Sequence, residues 1–425
     1  MLTNNFSKRR YSKRMVIINH DPNLQLFPYF CSVSKNGLSF DNIENAFAYK
    51  SDSEITKAYW LFKSISIPSV VKLGPLFTEA ALKLHLPVKW AIKGTIYSHF
   101  CGGETIEECQ KTIDKLAEFN VGSILDYSVE GKEEEKEFEH ACDEIIATVK
   151  RAKGDPKIPF CVFKVTGLAR LALLEKMSNA EQLTAEEKTE AAKVKERINR
   201  ICSLAHDLSV RVFIDAEESW IQKAIDDLAT EMMERYNGQR ALIYNTIQLY
   251  RHDRLKFLKG SHDHALQKNY YLGLKLVRGA YMEKERKRAE EMSYPSPIQP
   301  DKAASDRDYN EALKYCVHHI DKIAICAGTH NAESSMLLTE LMKANSIANS
   351  DERIYFSQLL GMSDNISFNL AEAGYKVAKY VPYGPVISVL PYLTRRAQEN
   401  SSMSGQMGRE LKLLVAEKKR RKALA

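Results

Sequence analysis

Arg395 and Arg396 stand beside Tyr392 and Glu399 at positions 392, 395, 396 and 399, a spacing of i, i+3, i+4 and i+7 that puts all four on one helix face. Guanidinium groups stay charged, and their planar forks match a carboxylate or a phosphate. The face therefore reads as an anion clasp, although the same spacing also suits a surface helix whose arginines pair with neighbouring acids. A β-prone run, 375–380, precedes it and meets Pro382-Tyr383-Gly384-Pro385. Pro385 suits the first turn of a helix over 385–399, where its missing N–H costs nothing.

The elements that must position this face recur upstream. Apolar strand-like runs occur at 122–129, 158–165, 210–214, 241–246, 272–277, 323–327, 353–356 and 376–380. Helix-competent segments follow each, at 133–150, 168–206, 217–236, 254–268, 306–320, 331–343, 364–373 and 385–399. Strands joined by crossover helices imply a parallel sheet covered on both faces. Eight such units make a (β/α)8 barrel of the TIM type the economical solution. A doubly wound sheet has no GxGxxG after the first strand to recommend it.

In such a barrel the C-terminal strand ends converge on one mouth. Strand two delivers Lys164 and Thr166, strand three Asp215 and Glu217, and strand four Gln248. Strand five runs into Arg278-Gly279-Ala280-Tyr281, strand six into Thr329-His330-Asn331, strand seven into Gln358, and strand eight carries Tyr380. Singly, each has a structural explanation: a snorkelling lysine, a capping aspartate, a satisfied core histidine. Together they put three arginines, a lysine and a histidine at one mouth, a costly desolvation unless something negative binds. A phosphate-bearing cofactor with a carboxylate substrate would satisfy it. A metal at Asp215, Glu217 and His330 is the weaker reading, because cations crowd the mouth and no HxH or HExxH spacing occurs. The residues alone leave flavin, pyridoxal phosphate and Lys164 Schiff-base chemistry open.

The chain of 425 residues is 44% hydrophobic and 27% charged, enough for a sizeable core. Its net charge of +6 is small and unevenly placed, which does not imply a nucleic-acid partner. Residues 1–20 are basic, hydroxylated and free of acids before position 20 ends the stretch, reading as a mitochondrial presequence or a disordered basic tail. Residues 21–100 read as a helical region, 101–405 as the barrel, and 406–425 as a helix with a basic end that could touch anionic lipid or simply solubilise. The connection 279–307 is long and carries Pro295, Pro297 and Pro300, reading as an irregular active-site cover. The charge-dense stretches 130–139 and 181–200 read as solvated helix faces or insertions. Eight cysteines without a close CxxC pair argue for reduced structural thiols. No run of about eighteen apolar residues suggests a membrane span.

The motifs ILDYSVE (124–130), VFKVTGL (162–168), FIDAEES (213–219), NTIQLY (245–250), KLVRGAYMEKE (275–285), GTHN (328–331), QLLGMSD (358–364), KYVPYGP (379–385) and YLTRRAQENSS (392–402) resemble, in order, those of the FAD-dependent proline dehydrogenases. The likeness is to the eukaryotic, mitochondrial, monofunctional type and covers about 101–405. It implies FAD at the barrel mouth with L-proline stacked on the flavin. Arg395 and Arg396 are then expected to clasp the proline carboxylate with help from Lys164. Tyr380 and Tyr392 would wall the ring, and Asp215 would stand behind the cations. Arg278 is expected near flavin N5, followed by Gly279 and Ala280, with Gln248, Thr329, His330 and Glu399 as further cofactor contacts. Leu276 and Val277 are expected to be packing. A sister group that prefers hydroxyproline has serine where Tyr380 stands, so tyrosine implies proline itself. The resemblance further implies electron transfer to ubiquinone by peripheral contact with the matrix side of the mitochondrial inner membrane. It also implies release of pyrroline-5-carboxylate, with no second dehydrogenase domain fitting after the barrel.

Overall fold

Eight parallel strands close on themselves in chain order, β1 to β8, with β1 paired to both β2 and β8. The structure, a computed structural model, describes residues 37–67, 69–71, 88–129, 133–402 and 404–424, the side chains of 399–407 excepted. The presequence reading of residues 1–20 lies outside these. The strands are β1 Val121–Tyr127, β2 Phe160–Lys164, β3 Arg211–Asp215, β4 Ile243–Gln248, β5 Leu272–Val277, β6 Ile323–Gly328, β7 Ile354–Leu359 and β8 Val377–Tyr383. The fold is thus a (β/α)8 barrel of the TIM type with flanking helices.

Alternation along each strand sorts the side chains. Ile124, Phe160, Val162, Phe213, Tyr244, Cys326, Tyr355, Ala378 and Tyr380 fill the barrel. Phe160 stacks on Phe213 at 4.3 Å, and Phe213 lies parallel to Tyr380 at 6.4 Å. Arg211, at the start of β3, lies over Phe160 and Tyr355 and pairs with Glu352, closing the end opposite the mouth. Outward-facing Leu125, Ile214, Ile247, Leu274, Leu276 and Val381 pack under the surrounding helices.

Three expectations change. The connection 279–307 is ordered: it contains the helix Met282–Glu291, and buried Glu285 accepts hydrogen bonds from Ser219 N and Oγ at 2.6 and 2.5 Å. The helix was hidden by its charge, since only Glu285 and Ala289 are buried. Its prolines follow in a segment stapled to β4's exit, with Pro297 O accepting from His252 N and Tyr250 O from Gln299 N. Second, the clasp helix spans Leu390–Ser402 rather than starting at Pro385. Gly384 takes φ +138°, residues 386–389 form a turn, and Pro391 lies in the first turn, where its missing N–H costs no intrahelical bond. Third, β8 runs through Pro382 to Tyr383, with Pro382 O accepting from Gly102 N. The stretches 133–139 and 181–200 fall largely on the helices Glu135–Ala152 and Ala185–Asp207. The two helices are bridged where Arg197, fully buried, meets Glu135 and Glu139.

The N-terminal helices Ile43–Phe47 and Asp52–Ile65 and the C-terminal helix Ser404–Leu424 dock together on the barrel. Between them lies a buried ionic knot. Lys379 points outward from β8, is 0% exposed, and meets Asp364 at 2.8 Å; Lys50 meets the same carboxylate at 2.8 Å, and Tyr49 Oη donates to it at 2.7 Å. The two ammonium groups hold Asp364 far below the usual carboxylate range despite its burial. In the basic C-terminal end, Arg420 and Arg421 bridge fully buried Glu417, and Arg421 also reaches Asp52. These two arginines serve intramolecular docking. No helix among the described residues is long and apolar enough to cross a membrane. Among the described residues seven cysteines are buried free thiols.

Candidate active site

The mouth is built from strand ends whose inward side chains are polar where those below are apolar. Lys164 closes β2 and is in register with Asp215 at the end of β3. Lys164 Nζ lies 3.7 Å from Asp126 Oδ2, itself an acceptor from Ser128 Oγ at 2.6 Å. Asp215 forms a close ion pair with Lys275, an inward side chain of β5. Lys275 Nζ also donates to Tyr380 Oη at 2.6 Å, and that hydroxyl stands 3.5 Å from Asp215 Oδ1. Burial, reinforced by Asp215, pushes the Tyr380 phenol well above its ordinary pKa, so it stays protonated. Lys275 additionally lies over the Tyr380 and Phe213 rings. Sequence reasoning missed Lys275 and Asp126. A lone lysine inside the apolar run LGLKLV was the available signal, because an uncompensated ammonium within a barrel demands a partner.

Around β3 and β4 the backbone is locked by carboxylate and amide groups. Glu217, 3% exposed, accepts from Thr166 N at 3.0 Å and from the Thr166 hydroxyl. Gln248 Nε2 donates to Glu217 O at 2.9 Å, which leaves Gln248 Oε1 buried and without a hydrogen-bond partner among the described residues. Burial raises the Glu217 carboxyl to about 7 against the bonds from Thr166. Between its ordinary value of 4.5 and about 7, the folded chain holds a proton that the unfolded chain has lost. The stability contributed by Glu217 is therefore present below 4.5 and lost as pH rises toward 7, by about 3 kcal/mol in all. Glu217→Gln removes this titration. Urea midpoints from pH 4.5 to 8 should show the variant gaining on the wild type by that order, and parallel curves would contradict it.

Arg278, just past β5, is held on three sides. Its Nε donates to Asp306 at 2.6 Å, Nη1 to Thr329 Oγ1 at 2.8 Å and Nη2 to Ser334 Oγ at 2.9 Å, and the guanidinium lies 4.4 Å from the Tyr309 ring. It therefore sits beside the β6 exit, whereas the cation projecting into the barrel axis is Lys275. Gly279 adopts φ +137°, and a Cβ there would fall 2.4 Å from the Tyr250 ring; Ala280 follows it, exposed. Gly279→Ala is expected to destabilise by roughly 2–4 kcal/mol through strain and overpacking, read as a fall in thermal midpoint. An unchanged midpoint would mean that Tyr250 swings aside freely.

Past β6, Thr329 accepts from Arg278, and its carbonyl accepts from Gln358 Nε2 at 3.1 Å. His330 Nδ1 lies 2.9 Å from Ser363 Oγ. Burial pushes its pKa down to about 3, helped by the cations of Lys379, Arg396, Arg409 and Arg278, so the ring is neutral. On the clasp helix Tyr392 and Arg396 are buried, with the Arg396 guanidinium 5.3 Å from the Tyr392 ring, and Arg395 is half-buried. Glu399 belongs to the same helix, but its side chain lies outside the described residues. The structure thus brings Lys164, Asp215, Gln248, Arg278, Thr329, His330 and Tyr380 to one end of the barrel, and adds Lys275. Leu276 faces the helices, as packing.

The comparisons with known proteins agree with this geometry. The proline dehydrogenase family model matches residues 109–409. The chain is 32% identical over 434 residues to proline dehydrogenase 1, mitochondrial, of Dictyostelium discoideum, covering 91% of this chain and 76% of that relative. It is 36% identical over 330 residues to the carbapenem antibiotics biosynthesis protein CarD of Pectobacterium carotovorum subsp. carotovorum, covering 77% and 84%. It is 31% identical over 425 residues to the hydroxyproline dehydrogenase of Xenopus laevis, covering 91% of each. Among solved structures, proline utilization A from Bdellovibrio bacteriovorus superposes with a TM-score of 0.68 at 21% identity, over 87% of this chain and 40% of that one, a likeness of fold. With the family model spanning most of the barrel and its motifs lining the mouth, the chain belongs to the proline dehydrogenase family.

Proposed function

We propose that the chain oxidises L-proline to 1-pyrroline-5-carboxylate with FAD as the bound cofactor, as a mitochondrial, monofunctional member of its family. The observation that carries the reading is the mouth itself. Lys164, Lys275 and Arg278 stand at that end of the barrel, where Gln248 Oε1 is a buried acceptor that no described residue satisfies and that a flavin's polar edge would engage. When bound, FAD accepts a hydride at N5; the side chains supply binding, orientation and charge.

Arg395 and Arg396, with Lys164, pin the proline carboxylate, and Tyr380 and Tyr392 fix the plane of its ring. Gln248, Arg278, Gly279, Ala280, Thr329, His330 and Glu399 hold the cofactor. Neutral His330 accepts or donates one hydrogen bond without adding charge. Lys275, locked between Asp215 and Tyr380, offers a fixed cation on the barrel axis, preorganised for the negative charge that the departing hydride would carry to its acceptor. Asp215 holds that lysine in place. Tyr380 favours proline over hydroxyproline by filling the space an added hydroxyl would need. The mitochondrial names of several relatives support a mitochondrial location, and the electrons are proposed to pass to ubiquinone at the matrix side of the inner membrane.

Anaerobic proline should bleach the visible absorbance of the purified yellow protein, and a soluble quinone analogue should restore it. A colourless protein that cannot be loaded with FAD would end this reading. A greater kcat/KM for hydroxyproline would transfer it to the activity named for the Xenopus relative.

A further inference from the structure

Glu410 belongs to the C-terminal helix, remote in sequence from the barrel, and is 5% exposed. It sits beside the Lys50–Asp364–Lys379 knot, and burial together with Asp364 raises its pKa. Its hydrogen bonds among the described residues, however, go to the turn after β7. Oε1 accepts from Ser363 N at 2.8 Å and lies 3.5 Å from Ser363 Oγ. The same hydroxyl is 2.9 Å from His330 Nδ1. A continuous polar path therefore runs from the C-terminal helix through one serine to the β6 loop.

Ser363 has φ +50°, the left-handed conformation that suits glycine better than serine. The position thus carries backbone strain that a glycine would relieve, and what serine adds is the hydroxyl shared by Glu410 and His330. The surrounding bonds hold the turn stiff. Ser367 Oγ donates to Gln358 Oε1 at 2.7 Å, and Gln358 Nε2 donates to Thr329 O at 3.1 Å. The hydrogen bond of the His330 ring thus reaches across to the β7 turn.

We propose that Glu410 is a positioning residue for the cofactor half of the mouth, acting through Ser363 to fix the orientation of His330. The C-terminal helix is then part of the site's framework. This rests on the reading of His330 as an FAD contact. The mechanism needs no proton movement: an acceptor held at the Ser363 amide sets the turn, and the turn sets the imidazole.

The test measures FAD affinity of the full-length protein, stripped and titrated with FAD by flavin fluorescence, with the visible circular dichroism of the bound flavin as a second readout. Glu410→Ala and Ser363→Gly should each weaken FAD binding by about 10-fold, as loss of an outer-sphere partner does, and should change the dichroism alike. Ser363→Gly suits its backbone angle, so it folds even where Glu410→Ala does not. Glu410→Gln keeps an oxygen for the Ser363 amide and should stay within about twofold of wild type. Arg421→Ala loosens the same helix at its other end; it should lower the melting temperature yet leave FAD affinity unchanged. Added to His330→Ala, Glu410→Ala should cost less than about twofold more, because both act through one ring. Full additivity with His330→Ala, or equal loss in Arg421→Ala, overturns the proposal. A wild type that binds no FAD overturns the proposed function as well, which separates the two failures.

Discussion

Replacing Arg396 by alanine is expected to raise the KM for proline far more than it lowers kcat. Arg396 is 8% exposed and its guanidinium lies beside the Tyr392 ring, so a carboxylate that meets it is largely out of water. Removing one partner of a desolvated charge pair costs about 2–5 kcal/mol, roughly 30- to several-thousand-fold in kcat/KM. Because the carboxylate is bound equally before and during hydride loss, the loss should appear as uniform binding energy and saturate away at high proline. Arg396→Lys should recover part of it, keeping charge but losing the fork. Steady-state kinetics over a wide proline range decide the matter. An unchanged KM with a depressed kcat would place Arg396 on the cofactor side and remove it from the clasp.

Lys275→Met carries the second large effect, on two separate scales. Stability should fall by about 3 kcal/mol, because Asp215, its side chain only 13% exposed, is left without its ammonium. The rate of flavin reduction under saturating proline should fall by about 100- to 1000-fold, the usual loss when a preorganised charge at the reacting centre is removed. Adding Asp215→Asn to Lys275→Met should restore much of the stability, since the unpaired charge disappears, while leaving the rate low. Urea unfolding and anaerobic stopped-flow reduction read the two scales. If the double variant regains rate together with stability, the lysine is structural and the axial cation has no part in the chemistry.

Much of the barrel was legible because its strands are buried on both faces and so read as apolar runs, each trailed by helical periodicity. Polar residues at strand exits, such as Asp215, Gln248 and Thr329, stood out where an apolar run broke. What stayed hidden were polar residues within the runs. Lys275 and Lys379 interrupt β5 and β8 at adjacent kinds of position, yet one points to the axis and the other to the helices. Only the register decides which, since a shift of one residue swaps the faces. The helix Met282–Glu291 was illegible for the opposite reason: nearly all its side chains face water, so no stripe marked it. The start of the clasp helix turned on Gly384, whose positive φ no spacing rule records.

The pairing of β1 with β8, in register from Val121↔Val377 to Tyr127↔Tyr383, also has a bearing on how the molecule is made. During synthesis the first strand emerges with one side still lacking its neighbour until β8 leaves the ribosome, almost the whole barrel later. An unmet strand edge invites association with other chains. Nascent chains stalled before Val377 should therefore bind chaperones or aggregate, whereas chains released beyond Tyr383 should not.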